Sequence, residues 1–146
     1  MFIGQILRYY LSVQMFDLPR KMYSRISLIL LGFFFTAAGT NHFVNPDFYI
    51  AIMPPYLPAH LELVYLSGFF EILGGVAVFL SPVRRLAGNG LIVLLIAVLP
   101  ANLYMAMNAD KFVDIAPTWA LFARLPLQLL LVWWTFRVTR NDRTSE

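Results

Sequence analysis

The fold is decided by the stretch from Leu86 to Ala109, LAGNGLIVLLIAVLPANLYMAMNA, which contains no charged side chain. A helix needs about 20 predominantly apolar residues to cross the roughly 30 Å hydrocarbon core of a bilayer. The stretch is long enough for that, and both its length and its lack of charge separate it from a buried helix of a soluble domain. We therefore predict a transmembrane helix here.

Three further stretches have the same character. The four predicted spans lie at about residues 25–44, 60–81, 86–109 and 117–138. Two ionisable residues lie deep within them, Glu71 and Arg124. We predict an all-α membrane protein, a four-transmembrane-helix antiparallel bundle within residues 22–138, followed by a cytoplasmic tail at 139–146.

The composition is that of a chain that lies mostly in lipid. The protein has 146 residues, of which 60% are hydrophobic and 13% charged, whereas soluble domains are nearer half apolar and one quarter charged. The formal net charge of +3 comes from clusters beside the apolar stretches, as topology signals do, so we expect no nucleic-acid partner. The chain has no cysteine, which excludes disulfide exchange and thiolate chemistry.

The basic residues predict the orientation of the spans. They precede the first span, separate the second from the third and follow the fourth: Arg8, Arg20, Lys21, Arg25, Arg84, Arg85, Arg137, Arg140 and Arg143. The other two connections contain one basic residue, Lys111, which lies beside Asp110 and near Asp114. By the positive-inside rule, both ends of the chain are expected on the cytoplasmic side.

The segment before the first span has the pattern of an amphipathic helix. In residues 1–21, apolar side chains recur at helical spacing with polar side chains between them. We expect this segment to lie on the inner membrane surface. In an alternative that stays open, Met15 or Met22 is the true start, and the mature protein lacks some or all of the segment.

The loop between the first two spans is predicted to contain a second short helix. Asn45, Pro46 and Asp47 suit the N-cap, the first position and the first turn of a helix. Pro54 and Pro55 would end that helix. The result would be an apolar lid over the outer mouth of the bundle.

Glu71 lies near the middle of the second span, where an ionisable group is unfavourable and needs an explanation. The residues three and four positions away along the helix are all small: Ser67, Gly68, Gly74 and Gly75. Small residues allow two helices to approach closely. We therefore expect Glu71 to point into the bundle at a close helix contact.

Arg124 lies about two turns inside the fourth span, with Gln128 on the same helical face. Its depth differs from that of Glu71 by about one to two helical turns, which an arginine side chain can largely bridge. We therefore predict that Arg124 and Glu71 pair. Asn102 lies at similar depth in the third span, and a proline in each of these two spans would kink it around a polar cavity.

The polar residues within the spans have two interpretations. The candidates for ligand binding or proton exchange are Glu71, Arg124, Asn102, His42 and Gln128. The alternative, given equal weight, is that the Glu71–Arg124 pair only fixes helix register. A lone interfacial histidine such as His42 is more often a hydrogen-bonded cap than a ligand. With His60 as the only other histidine, we expect no metal site.

Five stretches of the chain combine into a pattern. They are Gly39-Thr40-Asn41-His42-Phe43, Ile52-Met53-Pro54-Pro55-Tyr56-Leu57-Pro58, Ser67-Gly68-Phe69-Phe70-Glu71-Ile72-Leu73-Gly74-Gly75, Val98-Leu99-Pro100-Ala101-Asn102 and Arg124-Leu125-Pro126-Leu127-Gln128. The pattern, which covers roughly residues 22–134, resembles the DoxX-like family of small four-helix bacterial membrane proteins. The resemblance implies a location in the bacterial cytoplasmic membrane, with recurring polar positions at His42, Glu71, Asn102 and Arg124.

The same resemblance implies a link to redox chemistry, since the family takes its name from a subunit associated with a thiosulfate:quinone oxidoreductase. We predict an accessory subunit linked to redox or quinone metabolism, in preference to a stand-alone oxidoreductase, with a polar intramembrane cavity. The sequence does not identify a cofactor, and a quinone is one candidate for the cavity. One alternative is a non-enzymatic assembly or docking protein with a protein partner or a second copy of itself. The other is a small-solute or proton carrier, ranked last because four helices without inverted repeats suit alternating access poorly.

Overall fold

The computed structural model describes residues 18–19 and 21–140, and the regular elements in this part are all helical. They are α1 (Met22–Val44), α2 (Pro46–Ala51), α3 (His60–Ala77), α4 (Arg84–Met107), a 3-10 helix (Ala109–Phe112) and α5 (Thr118–Arg140). The helices other than α2 and the 3-10 helix are long and apolar enough to cross a membrane, which confirms an all-helical membrane protein with four such helices. Nearly all of the predicted amphipathic segment 1–21 lies outside the described residues, as does most of the tail 139–146.

α3 is shorter than the predicted span of residues 60–81, because the chain leaves the α-helix after Ala77. The amides of Phe79 and Leu80 bond to carbonyl oxygens three residues back, at 3.2 and 3.0 Å. Tighter turns of this kind are frequent where an α-helix ends. The connection from α3 to α4 is consequently a compact turn.

The four long helices pack as a ring. α1 and α4 each pack on both α3 and α5, whereas α3 and α5 lie across the bundle from each other without packing together in the described part. Hydrogen bonds tie α5 to both of its neighbours. Trp134 Nε1 donates to Ser27 Oγ of α1 at 2.7 Å, and Arg140 Nη2 donates to Asn89 Oδ1 of α4 at 2.9 Å.

Glycines face each other where α1 meets α3. A Cβ atom added to Gly39 would lie 2.5 Å from the Gly68 carbonyl oxygen, and one added to Gly75 would lie 2.8 Å from the Gly32 carbonyl oxygen. Both distances are too short for any side chain, so the two backbones are in direct contact. Transmembrane helices associate through such close packing and weak Cα–H···O contacts, because lipid supplies no hydrophobic drive between them. These four glycines are called the glycine seam below.

Apolar side chains cover the outside of the bundle as well as its interior. One interior cluster includes Phe35 of α1 and Leu91 of α4, and a second includes Met105 of α4 and Leu121 of α5. Outside, Phe33 is 68% exposed, and many other large apolar side chains are exposed with it. A surface of this kind suits lipid contact and would be a liability in water.

α2 begins at Pro46, but Asn45 does not cap it with its side chain, contrary to the sequence prediction. The Asn45 side chain instead donates through Nδ2 to Asn41 Oδ1, one turn back in α1, at 2.7 Å. That bond takes the side chain away from the first turn of α2. After α2, the chain enters α3 through Ala59, whose left-handed backbone (φ 54°) sets the new helix direction.

Candidate functional site

The glycine seam places His42 directly against α3. A Cβ atom added to Gly68 would lie 2.6 Å from His42 Cβ, so glycine at this position leaves room for the histidine. His42 Nδ1 lies 3.0 Å from the Val64 carbonyl oxygen, and its Nε2 lies 3.6 Å from Glu71 Oε2. The imidazole ring also stacks on Tyr49 of α2, with 3.7 Å between ring centroids. His42, on α1, is therefore held between α2 and α3.

Glu71 does not pair with Arg124, so that prediction is wrong. The ionisable neighbour of Glu71 is His42, and no described residue forms a hydrogen bond with Glu71 Oε2. Arg124 Nη1 donates to Met105 Sδ at 3.4 Å. The two residues have similar depths, but depth alone does not fix which helices are neighbours, and α3 and α5 lie across the bundle from each other. Both side chains nevertheless line the same cavity.

The four small residues near the middle of α3 divide between two faces of the helix. Gly68 and Gly75 belong to the glycine seam, whereas Gly74 packs against the side chain of Leu91 in α4 and Ser67 lines the cavity. The expectation that all four mark one close contact is therefore wrong for two of them. Adjacent residues of an α-helix point about 100° apart, so Gly74 and Gly75 contact two different helices. Gly68 contacts α1, whereas its neighbour Ser67 faces the cavity.

Arg124 is a half-buried cation with a weak partner. The thioether of Met105 is a poor acceptor, whereas a guanidinium group carries five N–H donors and no acceptor. Within the described residues, Arg124 forms no other hydrogen bond. A cation in a membrane span is unfavourable unless it is paired or faces a polar cavity. Because Arg124 lines the cavity, its remaining donors are available to a molecule bound there.

Asn102 and Gln128 form a hydrogen-bonded bridge between α4 and α5. Asn102 Nδ2 donates to Gln128 Oε1 at 2.9 Å, and Gln128 Nε2 donates to the Leu95 carbonyl oxygen. Leu95 precedes Ile96, whose carbonyl oxygen has no helical donor because Pro100 carries no amide hydrogen. Gln128 is buried and does not line the cavity, so it positions Asn102, which does.

A cavity of about 1260 Å³ lies between α3 and α4. Its walls are mostly apolar, and it extends from Tyr49 in α2 to Val83 in the turn before α4. The polar side chains in its walls are those of His42, Tyr49, Ser67, Glu71, Asn89, Asn102 and Arg124. The volume exceeds the 300–1,000 Å³ typical of small-molecule pockets. The cavity therefore combines a long apolar wall with polar groups contributed by each of the five α-helices, α1 to α5.

These residues lie within the part of the chain that matches a protein-family model. Residues 31–139 match the family described as Domain of unknown function (DUF8561). The chain belongs to the DUF8561 family. No curated protein and no solved structure matches the chain. His42, Glu71, Asn102 and Arg124 all fall inside the matched range, so the polar groups of the cavity belong to the DUF8561 domain.

Two contacts of this DUF8561 site were missed by sequence analysis. Tyr49 was predicted only as part of a loop helix, yet it stacks on His42 and accepts a hydrogen bond from Asn41 Nδ2 at 2.8 Å. Met105 was not considered, although its sulfur accepts from Arg124. The one available signal was the position of Tyr49 in a helix that starts two residues after α1 ends, which brings it back over that end.

Proposed function

We propose that this DUF8561 protein binds a membrane-soluble quinone and acts as an accessory subunit in redox or quinone metabolism. The observation that carries the proposal is Arg124, a guanidinium group at the wall of a largely apolar cavity with a thioether as its hydrogen-bond acceptor. A quinone offers ring carbonyl oxygens to such a donor and an apolar chain to the rest of the cavity. The resemblance to DoxX-like proteins points to the same ligand class.

Arg124 and Asn102 would bind the head group of the quinone. They line the cavity from two neighbouring helices, α5 and α4. Asn102 uses one N–H on Gln128, which leaves its second N–H for a ligand carbonyl. Gln128 is itself fixed by its bond to the Leu95 carbonyl oxygen. Donors held in this way on helices are well placed for a ligand, because little ordering is needed on binding.

The apolar length of the cavity would hold the quinone tail. Lining residues of α4 run from Leu86 to Asn102, and the stretch from Asn89 to Asn102 is about 20 Å long at the helical rise. Phe70 and Leu73 of α3 form the opposite wall. A polar ring with a long apolar chain matches this shape, whereas a small polar solute would leave most of the wall unused. The cavity thus favours quinone binding over solute transport.

We also propose that the bundle is antiparallel and lies in the bacterial cytoplasmic membrane with both chain ends in the cytoplasm. The glycine seam supports the helix direction, since Gly32 faces Gly75 whereas Gly39 faces Gly68. The numbering therefore rises along α1 as it falls along α3. The excess of basic residues at the turn before α4 and at the end of α5 supports the cytoplasmic location.

An accessory role is favoured because the chain supplies ligand-binding groups without an evident electron carrier. It has no cysteine, and among residues 18–19 and 21–140 no three acidic or histidine side chains could together hold a metal ion. Electrons for quinone chemistry would then come from a partner protein. This matches the subunit role that the DoxX-like resemblance implies.

Quinone retention tests the proposal. Wild type, Arg124→Gln and Arg137→Gln would be reconstituted in lipid nanodiscs loaded with ubiquinone and menaquinone, and retained quinone would be quantified by mass spectrometry. Arg137 is the matched control, because it lies on the same helix but is exposed and contacts Trp133, 5.6 Å from its ring centroid. We expect Arg124→Gln to lower the affinity at least tenfold, or about 1.4 kcal/mol, and Arg137→Gln to leave it unchanged.

Two results would contradict this proposal. Equal retention by all three proteins would mean that quinone only partitions into the nanodisc lipid. No retention by the wild type would remove quinone as the ligand and favour the docking-protein alternative, which co-purification of a partner protein would support. Circular dichroism of each variant ensures that a loss of quinone is not a loss of the helical fold.

A further inference from the structure

Two protonatable atoms face each other beside the glycine seam, His42 Nε2 and Glu71 Oε2, 3.6 Å apart. Their side chains are only 10% and 13% exposed. Glu71 Oε2 has no hydrogen-bond partner among the described residues. The protonation of these two atoms therefore depends chiefly on each other and on whatever occupies the cavity that both residues line.

The contact of His42 Nδ1 determines which nitrogen of a neutral His42 carries hydrogen. His42 Nδ1 lies 3.0 Å from the Val64 carbonyl oxygen, and a carbonyl oxygen can only accept a hydrogen bond. His42 Nδ1 must therefore carry a hydrogen atom. In a neutral imidazole only one nitrogen carries hydrogen, so the Nε2 of neutral His42 presents a lone pair to Glu71.

The remaining question is how many protons lie between Nε2 and Glu71. With none, a lone pair would face a carboxylate in a medium of low dielectric constant, which is repulsive. With one on each residue, an imidazolium would lie beside a neutral acid, and a buried charge would be left unpaired. With a single proton, the pair is either imidazolium and carboxylate or imidazole and carboxylic acid. Both of these forms are attractive and have no net charge.

We propose that His42 and Glu71 hold one proton between them and form the proton-exchange site of the cavity. The pair has the two properties that exchange requires: a proton that either residue can carry, and an oxygen, Glu71 Oε2, without another partner. In one direction the proton leaves Oε2 or Nε2 for a ligand oxygen, and a neutral imidazole and a carboxylate remain. The reverse transfer restores the pair.

The surroundings of the pair suit a single exchangeable proton. The other titratable side chains in the cavity wall are Tyr49, from α2, and Arg124, from α5. Tyr49 stacks on the His42 ring and accepts from Asn41, so its own hydroxyl hydrogen stays available. No other acid lines the described cavity, so Glu71 is its one carboxyl group. The use of the proton by a quinone rests on the proposed function, whereas the proton count does not.

The number of protons on the His42–Glu71 pair is measured in protein without a bound ligand. Wild-type protein in nanodiscs at neutral pH would carry ¹⁵N-labelled histidine, for nitrogen NMR, and ¹³C-labelled glutamate, for infrared detection of a protonated carboxyl group. The chain has two histidines, and His60→Gln assigns the signals. Glu71→Gln assigns any carboxyl band. If that variant fails to fold, the double variant Glu62→Gln, Glu146→Gln makes the assignment by elimination, because these are the other two glutamates of the chain.

We expect hydrogen on His42 Nδ1 and one further proton in the pair. The spectra would then contain either imidazolium at His42 with no Glu71 acid band, or the acid band with His42 neutral. Finding both the imidazolium and the acid band, or neither, would overturn the proposal. So would a His42 that carries hydrogen on Nε2 alone, because that contradicts the Val64 contact.

The exchange itself is read from a change of solvent. On transfer to D₂O, the shared proton is expected to exchange within minutes in the wild type, as seen by the shift of the infrared or nitrogen signal. Backbone amides in the middle of α3 serve as the slow internal reference. If the shared proton exchanges with deuterium as slowly as those amide hydrogens, the pair does not exchange protons with a ligand and only fixes the register of the helices. Loss of quinone retention with the proton count intact would reject the proposed function alone.

Discussion

The two faces of α3 are packed differently: one is in close contact with α1, and the other borders the cavity between α3 and α4. Toward α1 the backbone of α3 touches glycine backbone at the glycine seam, whereas toward α4 it packs through side chains and borders a cavity of about 1260 Å³. Adjacent residues mark the difference, since Gly75 meets the Gly32 carbonyl oxygen and Gly74 meets the side chain of Leu91. One helix therefore forms both a direct backbone contact and one wall of the cavity.

The two faces have separate roles in the site. The seam brings His42 within 3.6 Å of Glu71, which requires α1 and α3 to be in backbone contact. The cavity leaves Arg124 across the bundle from Glu71, with space for a molecule between α3 and α4. Close packing thus fixes the protonatable pair, and the cavity beside it provides room for the proposed ligand.

The largest expected effect comes from breaking the seam. Gly39→Ala introduces a Cβ atom 2.5 Å from the Gly68 carbonyl oxygen, so α1 and α3 must separate. Overpacking of this kind destabilises by about 1–3 kcal/mol, and we expect about 3 because the obstacle is backbone. Unfolding of nanodisc or micelle preparations by denaturing detergent would measure the change.

Gly90→Ala is the matched control on the cavity side of the bundle. No atom lies within 4 Å of a Cβ added there, and alanine favours a helix over glycine by about 0.8–1 kcal/mol. We expect this variant to be as stable as the wild type or slightly more stable. If Gly39→Ala and Gly90→Ala behave alike, the seam is not the tight contact that distinguishes the two faces.

The next largest effect concerns the hydrogen-bonded bridge that Gln128 forms with Asn102 beside the cavity. Gln128→Leu removes the acceptor of Asn102 and the donor to the Leu95 carbonyl oxygen. Leaving buried polar groups without partners costs about 1–3 kcal/mol, and we expect a loss of about 2 in the same unfolding measurement. Leu129→Gln, on the exposed lipid face, is the control for side-chain chemistry. It should not release quinone, whereas Gln128→Leu should weaken quinone retention through the displaced Asn102.

The distinction between the two faces of α3 is only partly visible in the sequence. Length and lack of charge predict the four long helices, and small residues predict a close contact somewhere near Glu71. The choice of partner is not predictable in this way, because depth favours Arg124, whereas His42 lies near the end of the first span in the sequence. Which helices are neighbours depends on how all four long helices pack. Because α1 packs on α3 and α5 does not among the described residues, His42 rather than Arg124 lies beside Glu71.

A smaller effect is expected from filling the cavity. Ala101 lines it, so Ala101→Phe places a ring where a ligand would lie and should lower quinone affinity about tenfold, or about 1.4 kcal/mol. Stability should change by less than about 0.5 kcal/mol, as for substitutions away from packed sites. Ala37→Phe, on the exposed face of α1 and outside the cavity, is the control. A marked loss of stability in Ala101→Phe would mean that α3 and α4 close together there.

The smallest effect tests whether α1 depends on the seam alone. Ser27→Ala removes the hydrogen bond from Trp134 that ties α1 to α5. Hydrogen bonds between transmembrane helices average about 0.6 kcal/mol, and we expect that loss in detergent-induced unfolding, with quinone retention unchanged. Thr40→Ala is the control, because Thr40 bonds only to the Thr36 carbonyl oxygen of its own helix. A loss near 3 kcal/mol would mean that α5 holds α1 as firmly as α3 does, so that the glycine seam could not by itself account for the position of His42.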